Sequence, residues 1–287
     1  MNLFQQTKQL CQDYDIKPAR SRGQNFLIQE SIYQKIIKAS DLCKSDTVLE
    51  VGPGLGFLTI ELAKKVKQVI AVEIDKKLVE VLQNRLQEEG IKNVEVINMD
   101  ILEVSNSKFQ IPKKSQTLNL KSKNYKIVAN LPYNISSRFI RKFLAEADSK
   151  PKLMVLMLQA EVAERLIAKP GQMSLLSVSA QMYADIEKIA KVSAGCFWPK
   201  PKVESSIIKL RIKNYELQIN ETKFFKLVRA GFSAKRKQLQ NNLAKILKID
   251  KEKIEKILIE NNLPPKVRAQ ELSPNNWQNI YLDILKK

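Results

Sequence analysis

Thr47-Val48-Leu49-Glu50-Val51-Gly52-Pro53-Gly54-Leu55-Gly56-Phe57-Leu58-Thr59 is the stretch whose reading decides the fold. A β-branched, apolar run enters a turn that holds three of the chain's eight glycines, and a helix over 56–66 is predicted to follow. Glycine lets the backbone turn sharply and approach a ligand closely. The next apolar run, Val69-Ile70-Ala71-Val72-Glu73-Ile74-Asp75, ends in acid. Glu73 lies 21 residues after Gly52, the spacing at which a carboxylate holds ribose hydroxyls. A helix over 76–89 precedes a third strand, Val94-Glu95-Val96-Ile97-Asn98-Met99-Asp100. Asp100 can accept a hydrogen bond from an adenine amino group or cap the next turn, and the residues leave both open. Strands alternating with helices predict an α/β fold with a parallel sheet, so Gly52, Glu73 and Asp100 share one rim. The glycine spacing, Gly52-x-Gly54-x-Gly56, differs from the Gly-x-Gly-x-x-Gly of dinucleotide enzymes. It suits an adenosine-containing cofactor with no diphosphate to cradle.

A fourth strand, Tyr125-Lys126-Ile127-Val128-Ala129, stops at Asn130-Leu131-Pro132-Tyr133. Ligands sit at this edge of open α/β sheets. Pro132 fixes φ and lacks an N–H, so the strand cannot continue, and it biases Leu131 towards an extended conformation that frees its carbonyl. The Asn130 side-chain oxygen and the Leu131 carbonyl then form two neutral acceptors, suited to an amino group such as N6 of adenine. Tyr133 can stack on the base. From Val104 to Ala145 there are nine Lys/Arg and no acid, a path for a polyanion. It includes a Lys/Ser-rich loop over 104–124 and a helix carrying Arg138, Arg141 and Lys142. A fifth strand over 152–159 follows, then a helix with Glu161, Glu164 and Arg165 facing out, and a helix over 174–183. Strands over 186–194 and 203–212 complete the sheet as a hairpin-like pair. Between them, Cys196-Phe197-Trp198-Pro199-Lys200-Pro201-Lys202-Val203 holds two rings that either stand exposed or plug the sheet end. An exposed Phe197 would be a second stacking face opposite Tyr133.

On the other side of the glycine turn, residues 1–15 read as a short amphipathic helix, and 30–42 as a helix buried through Ile32, Ile36, Ile37 and Leu42. Between them an arm with Arg20 and Arg22, suited to phosphate contacts, runs into Gln24-Asn25-Phe26-Leu27, a candidate lid. The composition turns polar over 213–220, and beyond that point the periodicity is purely helical, over 221–231, 235–248, 250–261 and 273–285. Lys235-Arg236-Lys237 is predicted at a helix start, where positive charge opposes the macrodipole and an external anion would compensate.

The whole chain of 287 residues carries 49 Lys+Arg against 30 Asp+Glu, a net charge of +19, and is 44% hydrophobic. This is globular composition with an acidic partner. No apolar run approaches the roughly 18–20 residues needed to span a bilayer, and the polar N-terminus lacks the apolar core of a signal peptide. A cytoplasmic protein with no membrane association is therefore expected. Cys11, Cys43 and Cys196 form no CxxC and read as buried thiols. The absence of histidine removes His-based nucleophilic schemes and His-ligated metal sites, and no metal is expected.

Six stretches together carry a resemblance: Gly23-Gln-Asn-Phe-Leu27, Glu50-Val-Gly-Pro-Gly-Leu-Gly56, Val72-Glu-Ile-Asp75, Asn130-Leu-Pro-Tyr-Asn-Ile-Ser136, Phe197-Trp-Pro-Lys-Pro-Lys-Val-Glu-Ser205 and Phe232-Ser-Ala-Lys-Arg-Lys-Gln-Leu-Gln-Asn-Asn-Leu243. The chain resembles the ribosomal RNA adenine N6-dimethyltransferase family, in its small-subunit branch. One departure stands out: the family's Tyr-Gly before Leu-Ser-Val is replaced by Gln172-Met173-Ser174, which leaves the local loop geometry open. The resemblance implies a Rossmann-like class I methyltransferase sheet with a smaller all-helical C-terminal domain. The organisation expected is an arm and cofactor lid over 1–29, a methyltransferase domain over 30–214 and an RNA-binding domain over 215–287. It implies S-adenosylmethionine as cofactor, with contacts at Asn25, Leu27, Gly52, Gly54, Glu73, Asp100 and Asn130. Glu73 takes the ribose and Asp100 the cofactor adenine. Asn130, Leu131, Tyr133 and Phe197 then form the catalytic set, and Arg20, Arg22, Arg138, Lys235, Arg236 and Lys237 contact RNA. The implied substrate is a pair of adjacent adenosines in the 3′-terminal hairpin loop of 16S rRNA, dimethylated within an immature small subunit by a monomer. Three alternatives remain: the 23S rRNA methyltransferases of macrolide resistance, a DNA or protein methyltransferase using Asn-x-Pro-Tyr, and a non-catalytic assembly factor.

Overall fold

The computed structural model describes residues 1–18, 23–103, 125–147, 149–213 and 219–286. The predicted loop over 104–124, together with Arg20 and Arg22, lies outside them. Seven strands form one sheet: β2 (Thr47–Val51), β3 (Gln68–Glu73), β4 (Val94–Asn98), β5 (Tyr125–Asn130), β6 (Leu153–Gln159), β7 (Ala184–Val192) and β9 (Ser205–Ile212). Their order is β4-β3-β2-β5-β6-β9-β7. The first five run parallel, and β9 is antiparallel to β6. Strands buried on both faces read as near-continuous apolar runs; Val48, Leu49, Val69, Ile127 and Val128 are all sealed from solvent. Each such side chain contributes about 1.5–3 kcal/mol on burial.

The helices of the first part are α1 (Leu3–Asp13), α2 (Glu30–Ala39), α3 (Phe57–Ala63), α4 (Lys76–Glu88), α5 (Ser136–Arg141) and α6 (Ala160–Leu166). In α2 the buried stripe is Ile32, Tyr33, Ile36 and Ala39; Ile37 and Leu42 are only partly buried against the same core. A side chain at position 56 would place Cβ 2.5 Å from Leu82 Cδ1 at φ +82°, so only glycine admits α4 this close to the start of α3.

A second, two-stranded sheet was not foreseen. β1 (Phe26–Leu27) pairs antiparallel with β8 (Phe197–Trp198), Leu27 opposite Phe197. Phe197 is therefore no exposed ring. It packs into the core with Leu27, Tyr33 and Val128 at 3% exposure. The cysteines also differ from the expectation of three buried thiols: Cys11 is buried, Cys196 half-buried and Cys43 exposed.

The chain divides into two compact units, Met1–Ala163 with Asp185–Ile212, and Glu164–Ala184 with Lys213–Lys287. Residues 164–184, expected within the methyltransferase domain, thus pack with the C-terminal helices. That second unit contains α7 (Leu175–Tyr183), α8 (Glu221–Gly231), α9 (Leu239–Leu247), α10 (Lys251–Glu260) and α11 (Pro274–Lys286). Ser174 caps α7, accepting from Ser177 N while Ser177 answers at the Ser174 amide. The departure at Gln172-Met173-Ser174 thus supplies a capping box. Trp277 is sealed from solvent, stacks 5.6 Å from Phe232 and fills the space beside Gly231. α9 begins at Leu239, not 235. Asn242 Nδ2 donates to the carbonyls of Gly231 (2.7 Å) and Ala234 (3.0 Å), which holds 232–238 as a turn and keeps Lys235–Lys237 out of the helix.

Candidate active site

The strand order reverses between β2 and β5, the position at which open α/β sheets bind ligands. Gly52 follows β2 and Asn130 ends β5, so the two motifs meet there. Pro132 lies against Gly52, with Cδ 3.4 Å from where a Cβ would stand, and Gly23 backs Tyr133 N at the same separation. Gly54, at φ +58°, leaves only 3.3 Å between such a Cβ and the Phe26 ring. A side chain at 23, 52 or 54 would push the three loops apart.

One cavity results, and its lining includes Asn25, Leu27, Gly52, Gly54, Glu73, Asn130, Leu131, Tyr133 and Phe197. These nine sequence-predicted residues are brought together. Asp100 is not among the lining residues; its Oδ1 accepts from Leu102 N at 2.8 Å and caps the turn after β4. Arg138 lies exposed on α5, and Lys235, Arg236 and Lys237 are exposed on their turn in the second unit.

Glu73, 6% exposed, accepts from Gly54 N at 3.2 Å and from Asp75 N at 3.0 Å. Burial raises its pKa, and these amides oppose the rise. Leu131 N donates to Met157 O at 3.2 Å, which fixes the chain just beyond β5. Asn130 Nδ2 faces the Asn25 carbonyl at 3.5 Å. Among the described residues no donor engages Asn130 Oδ1 or the Leu131 carbonyl. Tyr133 is half-buried, and its hydroxyl shares a 2.7 Å hydrogen bond with Ser205 Oγ.

Sequence reasoning missed two residues. Ser205 carries no signal of its own. Glu50 does, as the lone acid inside an apolar strand. It is 1% exposed and lines the cavity, and its Oε2 has no hydrogen-bond partner among the described residues. Burial pushes the Glu50 carboxyl up to about 8; the Thr59 hydroxyl opposes the rise and the Glu73 charge adds to it. The cavity therefore holds two buried carboxyl groups and no lysine or arginine among its described lining residues, in a chain of net charge +19. Such a site disfavours a phosphate and favours a cation. Among the described residues, no cluster of His, Cys, Asp and Glu could hold a metal ion, and no helix is long and apolar enough to cross a membrane.

The fold matches solved methyltransferases over most of its length. A dimethyladenosine transferase from Plasmodium falciparum superposes with a TM-score of 0.73 at 29% identity, covering 90% of this chain and 96% of that one. The 23S rRNA methyltransferase ErmE gives 0.71 at 27% identity, covering 90% and 99%. By sequence, a ribosomal RNA small subunit methyltransferase A from Dehalococcoides mccartyi is 42% identical over 98% of this chain and 94% of its own length. The protein of the same name from Clostridioides difficile is 39% identical over 93% and 91%. The sequence profile of the ribosomal RNA adenine dimethylases matches residues 17–285. With the glycine turn, the acidic cavity and the Asn-Leu-Pro-Tyr edge all inside that span, the chain belongs to the ribosomal RNA adenine dimethylase family.

Proposed function

We propose that this chain transfers methyl groups from S-adenosylmethionine to N6 of two adjacent adenosines in the 3′-terminal hairpin loop of 16S rRNA. Transfer takes place in the cytoplasm, on an immature small subunit, and the enzyme acts as a monomer. The observation that carries the reading is the cavity itself, two buried carboxyls and no basic residue, opening at Asn130–Tyr133. A sulfonium cofactor would favour the ionised form of both carboxyls, whereas a diphosphate would oppose it. When bound, it supplies a methyl group activated by the positive sulfur.

The chain's own residues do the rest. Asp100, Glu73, Gly52 and Asn130 follow or end the neighbouring strands β4, β3, β2 and β5. They would meet in turn the cofactor's adenine, ribose, amino-acid portion and reacting end, with Gly54, Asn25 and Leu27 closing over it. The N6 lone pair of adenine is delocalised into the ring and is a poor nucleophile. In the first transfer Asn130 Oδ1 and the Leu131 carbonyl would hold its two hydrogens and turn the lone pair towards the donor. One N6 proton leaves to solvent with each methyl gained, so a single hydrogen remains to be held in the second transfer, and positioning is the main catalytic contribution. The base must leave its stack to reach this edge. Tyr133 offers a replacement face, and Phe197 forms part of the wall behind it. Exposed Lys235, Arg236, Lys237 and Arg138 contact the phosphates.

The curated relatives at about 40% identity carry the small-subunit name, which favours 16S over 23S rRNA. The deciding experiment measures binding of radiolabelled cofactor and methylation of immature small subunits and of 23S rRNA in parallel. Cofactor binding with two dimethylated adenosines on 16S rRNA, read by mass spectrometry, is expected. Label on 23S rRNA alone, or absence of cofactor binding, overturns the assignment.

A further inference from the structure

We propose that Ser205 is the positioning residue for Tyr133: it latches the hydroxyl and so fixes the ring plane against which the everted adenine stacks. The proposal rests on the stacking role given to Tyr133 above. Ser205 opens β9 and pairs with Gln159, the last residue of β6, while Asn130 pairs with Met157 on the other edge of β6. Tyr133 therefore reaches across the end of β6 to the strand beyond. Its backbone is anchored upstream, where Leu131 N meets Met157 O at 3.2 Å. Without a second hold, the ring would be free to swing about its side-chain torsions. The 2.7 Å bond to Ser205 is that hold.

The anchor itself is rigid. Ser205 is sealed from solvent, and Ala160 N donates to Glu204 O at 2.9 Å beside it. A buried hydroxyl without a partner is costly, so the pair is held from both sides. The neighbouring Ser206 Oγ has no partner among the described residues, so burial on this strand does not by itself supply one. Burial raises the Tyr133 phenol, which keeps it neutral and the latch intact across the working pH range. A ring fixed before the base arrives lowers the ordering cost of stacking at the moment of capture.

The test is a double-mutant cycle on the full-length protein, with Tyr133→Phe, Ser205→Ala and the two combined. Single-turnover methylation is read beside cofactor binding, RNA binding and the fluorescence of 2-aminopurine at the target position of the RNA. Each single variant should slow the methyl step roughly 5–10-fold, about one neutral hydrogen bond. Cofactor and RNA affinities should stay within about twofold, and 2-aminopurine quenching should diminish. The double variant should be no slower than either single one. Additive losses, or unaltered rate and quenching in Tyr133→Phe, overturn the latch. Should Ser205→Ala fold poorly, the near-isosteric Tyr133→Phe still decides. Tyr133→Ala separates the two ideas. If it abolishes methylation while Tyr133→Phe and Ser205→Ala do not slow it, only the latch falls; if it is harmless, the stacking role falls with it.

Discussion

Replacing Glu50 by Gln should remove a pH-dependent loss of stability from the cofactor-free protein. The carboxyl is 1% exposed, its Oε2 has no partner among the described residues, and Glu73 lies close enough to raise it further. In the unfolded chain it ionises near 4.5; in the folded chain burial holds the proton until about 8. Below 4.5 both states carry the proton and the group is neutral in the balance. As pH rises through the interval the unfolded state ionises first, so stability is lost progressively and the loss is complete above about 8. The gap between 4.5 and about 8 corresponds to at most about 5 kcal/mol. Gln has the same shape and does not titrate. Urea denaturation of both proteins at pH 5, 7 and 9 isolates the effect, because other titrating groups largely cancel in the difference. The variant should gain on the native protein by several kcal/mol between pH 5 and 9. Parallel profiles over that range would refute the desolvated carboxyl.

Three further outcomes are expected. Asn130→Ala should lower turnover by roughly 10²-fold with RNA affinity within about twofold; normal turnover in single-turnover assays would remove the two-acceptor scheme. Lys235/Arg236/Lys237→Ala should flatten the salt dependence of RNA binding by about 2–3 in log–log slope, near 0.7–0.9 per lost phosphate contact; an unchanged slope would take the turn out of the footprint. Gly231→Ala would place a Cβ 2.2 Å from Trp277 Cη2 and 2.8 Å from Leu239 Cδ1. Overpacking of this kind costs about 1–3 kcal/mol, and native-like urea stability would show the contact to be less tight.

The parallel core of the sheet was legible because its strands are short apolar runs, four of the five followed by a glycine, an acid or Asn-x-Pro, and period and punctuation coincide there. The rim residues were legible for the same reason, since strand ends carry the site. What failed depends on partners distant in sequence. Sequence leaves Phe197 either exposed or plugging the sheet end, and the pairing of Phe26–Leu27 with it as a strand decides for burial. Lys235–Lys237 read as helix because the apolar period runs on; the Asn242 amide, by taking the Gly231 and Ala234 carbonyls, forms the turn instead. Residues 164–184 follow a sheet strand in sequence, yet they group with the C-terminal helices in the second compact unit. Asp100 shows a reading that sequence left open: a capping bond to Leu102 N is present, and the residue is not among those lining the cavity.

The distribution of charge constrains how two ligands of opposite sign can meet. The chain carries +19 overall, while the cavity holds Glu50 and Glu73 and no described basic residue. A polyanion is drawn to the surface and repelled from the interior; a sulfonium is drawn inward. An RNA strand can therefore offer only an uncharged part of itself to the cavity, a base turned out of its stack, with its phosphates left outside. The boundary between the two fields falls at Asn130 and Leu131, where both acceptors are neutral. A carboxylate there would grip the amino hydrogens more strongly, but it would also stand as a competing nucleophile beside an activated methyl group. On the proposed reading, an amide and a peptide carbonyl would orient the amino group there without that competition.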